Sequence, residues 1–261
     1  MTRVLVTGAA GRMGGHVLRA VAADPDLALC AALEAPGHPR LGEEVAPGVA
    51  LSDDLGAACE RAELAIDFSL PKGTLALIEA AVPRGLPLVI ATTGFSDDEL
   101  ERIDEAATRV PIVRASNFSL GINLMLELVA RAVQSLPDYD VEVLELHHAQ
   151  KRDAPSGTAL WIAETAAAAR SQRLEDRAVY HREGETGPRE PGSIGMQSLR
   201  AGDSVGEHTL YLAGPGERLE ISHRALSRDN FAAGALRAAR WALGKPPGLY
   251  SMREVMANGG A

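Results

Sequence analysis

The stretch Val4-Leu5-Val6-Thr7-Gly8-Ala9-Ala10-Gly11-Arg12-Met13-Gly14 decides the fold. Its first four residues read as an apolar strand, and a helical pattern runs from Met13 to Ala23. Between them the glycines recur at every third position. Gly8 lets the chain turn tightly, Gly11 lets backbone approach a pyrophosphate, and Gly14 allows helix to pack closely on strand. The helix start then aims amide hydrogens at phosphate oxygens. The spacing is GxxGxxG rather than GxGxxG, so its weight comes from its setting between strand and helix. Glu34 ends the next predicted strand, where a carboxylate can accept hydrogen bonds from the adenosine ribose hydroxyls. Ala35 follows it, and Arg12, His38 and Arg40 are the nearest cations for a 2′-phosphate. NADH is therefore expected to serve at least as well as NADPH.

Outward from this turn, apolar runs at Leu27–Leu33, Leu64–Phe68, Leu88–Ala91 and Ile112–Arg114 read as further strands. Helical patterns at Thr74–Arg84 and Asp97–Thr108 alternate with them. Pro71 suits a first helical turn, and Ser96 with Glu99 forms a capping box. Strands this apolar belong in a parallel sheet covered on both faces, which predicts an α/β, doubly wound Rossmann-type nucleotide domain. The turns Ala91-Thr92-Thr93-Gly94 and Ala115-Ser116-Asn117-Phe118-Ser119 fall at strand ends, where such sheets bind ligands. Their hydroxyls and amides suit a nicotinamide amide and ribose, although each alone is an ordinary loop.

The pattern changes after Asn117. A helix over Leu120–Leu136, a strand near Val141–Leu146 and a helix over Ala159–Ala169 precede a Gly-, Pro- and charge-rich loop, His181–Ser193, which reads as a mobile lid or as disorder. Ile194–Arg200, His208–Ala213 and Arg218–Arg224 read as antiparallel strands. This is a second α+β sheet domain, spanning 119–228, with 1–118 and 229–261 forming the nucleotide domain. The helical tail Phe231–Leu243 is placed to rejoin the first domain. An open sheet must cover a face and an edge, and self-association is one way to do it.

Composition excludes several classes. With 46% hydrophobic and 23% charged residues, the 261-residue chain is an ordinary globular protein. Its net charge of −9 disfavours a nucleic-acid surface. Cys30 and Cys59 are too few for a disulfide framework. No apolar run reaches the ~20 residues of a membrane span, and Arg3–Thr7 already reads as a strand, so a cytoplasmic protein without a leader is expected.

The most informative chemistry lies in Glu145-Leu146-His147-His148-Ala149-Gln150-Lys151-Arg152-Asp153-Ala154-Pro155-Ser156-Gly157-Thr158. Two histidines end a strand and point to opposite faces if it continues through them. A lysine follows, and Ser156-Gly157-Thr158 opens a helix. A helix start beside Lys151 and a histidine makes a carboxylate receptor, in which a charge-assisted hydrogen bond contributes about 1.5–3 kcal/mol. A histidine beside a lysine can act as general acid where charge builds on a substrate. Metal binding is not expected: adjacent histidines seldom chelate one ion, and no third ligand stands at zinc spacing. The plain alternative is a solvated basic turn.

With these residues laid out, the chain resembles the dihydrodipicolinate reductase family (4-hydroxy-tetrahydrodipicolinate reductase) of bacterial lysine and diaminopimelate biosynthesis. The likeness covers nearly the whole chain. It rests on Val6–Gly14, Ala91–Phe95, Asn117–Ser119 and the His147–Thr158 segment, then on Arg182-Glu183-Gly184, Arg200-Ala201-Gly202-Asp203, Val205–His208 and Ser222-His223-Arg224-Ala225. The resemblance implies an NAD(P)H-dependent oxidoreductase with proton donation by His147 and Lys151. It implies substrate contacts at His148, Gly157 and Thr158. Its dinucleotide contacts fall on Gly8, Ala9, Ala10, Gly11, Arg12, Met13, Glu34, Ala91, Thr92, Thr93, Ser116, Asn117, Phe118 and Ser119. It also implies a homotetramer built by the second sheet and a small dicarboxylate substrate. The chain departs from some members at Gln150, where they carry a third histidine, and at Ala35 and Leu70, where they place cofactor-facing arginines. The competing readings are a related amino-acid or aspartate-type dehydrogenase and a non-catalytic dinucleotide sensor. Fold alone supports all three.

Overall fold

A computed structural model describes residues 1–257. The chain divides into two compact units: Met1–Leu120 together with the chain from Arg228 onward, and Gly121–Ser227. The first unit begins β1 (Thr2–Thr7), α1 (Arg12–Ala22), β2 (Leu27–Leu33), β3 (Glu44–Ala46), β4 (Val49–Ser52), α2 (Leu55–Arg61) and β5 (Leu64–Asp67). It continues with α3 (Pro71–Ala81), β6 (Leu88–Ile90), α4 (Asp97–Ala107) and β7 (Pro111–Arg114). The second unit holds α5 (Leu120–Ser135), β8 (Asp140–His147), α6 (Gly157–Ala169), β9 (Ala178–Val179), β10 (Ile194–Arg200), β11 (Gly206–Gly214) and β12 (Glu217–Ala225). The chain then returns to the first unit with α7 (Asp229–Ala242), β13 (Gly248–Tyr250) and α8 (Met252–Ala257).

In the first unit the sheet order is β13-β7-β6-β5-β1-β2-β4-β3. Every pair in it is parallel except the β3–β4 edge. The chain leaves β1 in one direction for β2 and later returns to its other side with β5, so strand order reverses at β1. Alternation sorts β1 between two cores: Val4 and Val6 pack on the side of Val17, Val21, Ala235 and Ala239, while Leu5 faces Ala58, Leu77 and Ile103. Each fully buried Val or Leu stabilises the fold by about 1.5–3 kcal/mol. Helix starts follow the sequence signals: Pro71 opens α3, and Ser96 with Glu99 caps α4 in a capping box. Three short elements, β3, β4 and α2, carry no period long enough to read from sequence.

In the second unit the order is β12-β11-β8-β10-β9. Here one expectation fails. Ile194–Arg200 does not run antiparallel in a meander: β10 lies parallel to β8 and to β9, and only β11 runs antiparallel, to β8 and to β12. The reason is α6, which carries the chain back across the sheet, as a parallel pair requires. One sheet face packs Val141, Val143, Met196 and Leu210 against Ile122, Met125 and Val129 of α5 and Ile162 and Ala166 of α6.

The segment expected as a lid or as disorder is tied to β8. Arg182 donates to Glu142 at 2.8 and 3.0 Å. Arg189 reaches Asp140 at 2.8 Å, Glu142 at 3.2 Å and the carbonyl of Val141 at 3.1 Å. A side chain at Gly195 would collide with the Glu142 carboxylate, so that glycine makes the anchor possible.

Candidate active site

The first unit builds a cradle from backbone. Gly8 adopts φ +66, a left-handed turn, and a Cβ there would press on the carbonyl of Phe68. A Cβ on Gly14 would collide with the carbonyl of Gly8, so helix α1 can sit directly over the turn only without a side chain. Gly11 is the N-cap of α1, with no side-chain cap bond and no acidic residue in the first turn. The helix start thus presents uncapped amides to an anion. A cavity of ≈ 740 Å³ lies against it, lined by Thr7, Gly8, Gly11, Glu34, Ala35 and others. The Glu34 carboxylate accepts from the amides of Ala10 at 3.0 Å and Ala35 at 3.2 Å, which fixes it at the cavity edge. Turn, helix start and acid at the β2 end fit a dinucleotide.

The other expected contacts divide. Thr93 and Ser116 are exposed at the ends of β6 and β7, and Ala91 and Asn117 are half-buried. The Thr92 hydroxyl is committed inward, to Asp67 at 2.9 Å. Phe118 is buried in the core beside Phe68, with ring centroids 6.3 Å apart, so only its backbone remains for a ligand. Ser119 is also buried, and its amide donates to the Asn117 side chain at 2.8 Å.

Sequence reasoning missed Asp67, a wholly buried carboxylate at the end of β5. It accepts from Thr7 at 2.5 Å, Ser69 at 2.5 Å and Thr74 at 2.5 Å as well as from Thr92, and so ties three strand ends together around the turn. It missed Lys72 too, which lines the cavity near Leu70 and Ala35. An aspartate closing an apolar strand, two residues before Ser69, was the available signal for the first.

The second unit builds its site from side chains. His147 ends β8, 8% exposed, and its Nδ1 is in direct contact with Oε2 of Glu145, which is 1% exposed. Glu145 also accepts from Arg200 at 3.0 Å and from the amide of Ser156 at 3.3 Å. Burial pushes the Glu145 carboxyl up, but hydrogen bonds from His147, Ser198 and Arg200 outweigh it and hold it at about 2. Ser156 caps α6 by accepting from the amide of Ala159 at 3.1 Å, and its hydroxyl hydrogen-bonds with His208 Nε2 at 3.1 Å. The rings of His147 and His208 meet edge to face, 5.2 Å apart. Burial, then the neighbouring His147, pushes His208 down to about 3 against the pull of Glu145.

Lys151 is held by Asp153 at 2.7 Å, and that hydrogen bond lowers the Asp153 carboxyl below the ordinary range. Arg200 also donates to the carbonyl of Asp153 at 2.6 Å, fixing the loop that carries Lys151. His148 follows the strand end, and its amide donates to the carbonyl of Ser204 at 2.8 Å. Gly157 and Thr158 form the first turn of α6, and the space at Gly157 is open.

The segment therefore brings His147, Lys151, Gly157 and Thr158 to one end of the sheet. Arg200 and His208 were not singled out as partners of Glu145, because sheet register rather than spacing joins them to it. Arg200 lies opposite His147, and His208 lies opposite Glu145. Donor atoms of Glu145, His147 and His208 fall within 4.8 Å of one another, a third ligand type that spacing did not reveal. A guanidinium already stands on the carboxylate and a serine on His208.

A doubly wound unit with a glycine turn, in one chain with a sheet carrying this acid–base cluster, defines a nicotinamide-dependent oxidoreductase. The chain belongs to the dihydrodipicolinate reductase family: that family's N-terminus model matches residues 2–118 and its C-terminus model residues 121–256. It is 47% identical to a 4-hydroxy-tetrahydrodipicolinate reductase of Anaeromyxobacter dehalogenans, covering 98% of each chain. It is 48% identical to the enzyme of that name from Thiobacillus denitrificans, over 97% of this chain and 98% of the relative. Among solved structures, a dipicolinate-bound dihydrodipicolinate reductase from Paenisporosarcina sp. TG-14 shares the fold. Its TM-score is 0.80 at 24% identity, over 98% of this chain and 100% of that one. A probable dehydrogenase from Thermotoga maritima also resembles it, with TM-score 0.62 at 14% identity over 98% and 93%. The architecture is thus shared beyond the family. Among the described residues no helix is long and apolar enough to cross a membrane.

Proposed function

We propose that this chain reduces dihydrodipicolinate, formed from 4-hydroxy-tetrahydrodipicolinate, to tetrahydrodipicolinate in lysine and diaminopimelate biosynthesis, in the cytoplasm. Family membership over nearly the whole chain supports it, and one observation carries the chemistry: His147 rests on an ionised, buried Glu145, close in sequence to Lys151.

A bound reduced nicotinamide supplies the hydride. Gly8 to Met13 receive the pyrophosphate on their amides, and Glu34 accepts from the ribose hydroxyls. Ala91 to Thr93 and Ser116 to Ser119 hold the nicotinamide end. His148, Gly157 and Thr158 clamp the substrate carboxylates. Hydride adds to a ring carbon conjugated to the imine, and the displaced electron pair gathers at the ring nitrogen. His147 or Lys151 gives that nitrogen a proton. With no arginine after Glu34, NADH serves at least as well as NADPH. The sheet face carrying Leu144, Leu146 and Leu199, with Leu199 49% exposed, supports assembly into a homotetramer.

The test is absorbance loss at the nicotinamide band with freshly made dihydrodipicolinate and each cofactor in turn. Turnover with either cofactor is expected. Turnover only with an amino acid would assign the chain to a related dehydrogenase, and tight dinucleotide binding without turnover would make it a sensor.

A further inference from the structure

The buried neighbours of His147 specify which of its nitrogens works. We propose that Glu145 is the positioning residue of His147: it holds the ring proton on Nδ1, leaves Nε2 to exchange a proton with substrate, and Gly206 keeps the space at Nε2 open. This rests on the reading of His147 as a proton donor.

Three observations converge. Nδ1 of His147 is in contact with Glu145 Oε2, so that nitrogen carries the proton in both ring states. On the other side, a Cβ built on Gly206 would stand 2.8 Å from Nε2 and 3.2 Å from Cδ2 of the same ring. Any side chain there would fill the space an incoming atom needs. The third observation is that Glu145 also accepts from the amide of Ser156, the N-cap of α6. One carboxylate thereby fixes both the imidazole and the helix start that bears Gly157 and Thr158, so acid and carboxylate receptor share a frame.

The proton accounting is simple. The imidazolium gives its Nε2 proton to the substrate nitrogen and remains neutral, with Nδ1–H still on Glu145. Water then restores the Nε2 proton, since the side chain is 11% exposed. The charged and titratable groups at the ring are Glu145 on its own strand, His208 on β11 and Arg200, opposite on β10, while His223 on β12 and Lys151 on the following loop act on His208. Glu145 is the one carboxylate among them and touches the ring directly.

The experiment is 15N NMR of the full chain labelled at the histidine rings, with the His147 signals assigned by their loss in H147Q. Neutral His147 of the parent should show a protonated Nδ1 and an unprotonated Nε2. E145Q should raise the share of neutral His147 that is protonated on Nε2 and reduce kcat about 10- to 100-fold, as loss of an orienting partner does, with NADH affinity unchanged. E145D, which keeps the charge, should recover part of that loss. G206A should lower kcat while the tautomer stays the same. A neutral ring protonated on Nε2 in the parent overturns the proposal, whether or not E145Q folds, and so does E145Q with the parent's kcat and tautomer. If H147Q turns over at the parent rate while the Nδ1–H tautomer is observed, the proton-donor reading falls and the ring's anchorage to Glu145 stands.

Discussion

On the function we propose, the two units recognise their ligands by opposite means. In the first, the surface proposed to face the ligand is what side chains leave uncovered: Gly8, Gly11 and Gly14 keep backbone and helix start open to a phosphate, and Glu34 and Asp53 line the cavity beside them. In the second, the surface is made of side chains, and each is held by another. His147 rests on Glu145, Glu145 on Arg200 and Ser156, and Ser156 on His208. A backbone site tolerates change around it so long as its glycines stay. A side-chain network transmits a change at any member, because each buried polar group left unpaired costs about 1–3 kcal/mol.

That contrast can be broken by substitution. The largest effect among these tests is expected from K151A. Losing a charge-assisted bond of about 1.5–3 kcal/mol should cut kcat and raise the KM for substrate, with kcat/KM down about 100-fold and NADH affinity intact. Steady-state kinetics over both substrates checks this, and an equal loss of NADH affinity would erase the distinction between the units. Next comes G14A, whose Cβ meets the Gly8 carbonyl. Such overpacking costs about 1–3 kcal/mol, so the melting temperature should fall by several degrees and NADH should bind about tenfold more weakly, while turnover at saturating cofactor stays within about twofold of the parent.

Acid should separate the units as well. His208 takes up its proton near pH 3 when folded, against an ordinary 6.5, so the unfolded chain binds a proton in that window that the folded chain does not. The stabilisation is complete above pH 6.5 and is lost as pH falls toward 3. Glu145, held at about 2 against an ordinary 4.5, adds a loss between those values. Hydrogen exchange should therefore show β8 and β11 losing protection below pH 6.5, with a flatter dependence in H208Q. The smallest effect is expected from K72A. As an exposed cation on the cavity wall it contributes about 1 kcal/mol or less to a 2′-phosphate, so kcat/KM for NADPH should drop up to about fivefold and that for NADH should not change.

The same contrast explains what could be read beforehand. The glycine turn is local: strand, spacing and helix lie within eleven residues, and Leu27–Leu33 with Glu34 lies one helix away, so cradle and doubly wound sheet were legible. His147 and Lys151 were legible as neighbours, the one ending β8 and the other four residues on. Their partners were not, because Arg200 and His208 lie more than fifty residues along the chain and reach Glu145 only through the β8–β10 and β8–β11 registers. The parallel direction of β10 was hidden for a related reason: a turn-rich segment looks like a hairpin unless the crossover through α6 is known. Phe118 and Thr92 were taken as ligand contacts by position, and burial shows their side chains spent on core and on Asp67.

The proposed division of labour, dinucleotide held by backbone in one unit and protonation by His147 in the other, is tested most directly by stopped-flow oxidation of pre-bound NADH in the parent and H147Q. Equal NADH occupancy with nicotinamide oxidation slowed about 100-fold is the predicted result. H147Q and K151A both oxidising NADH at the parent rate would contradict it.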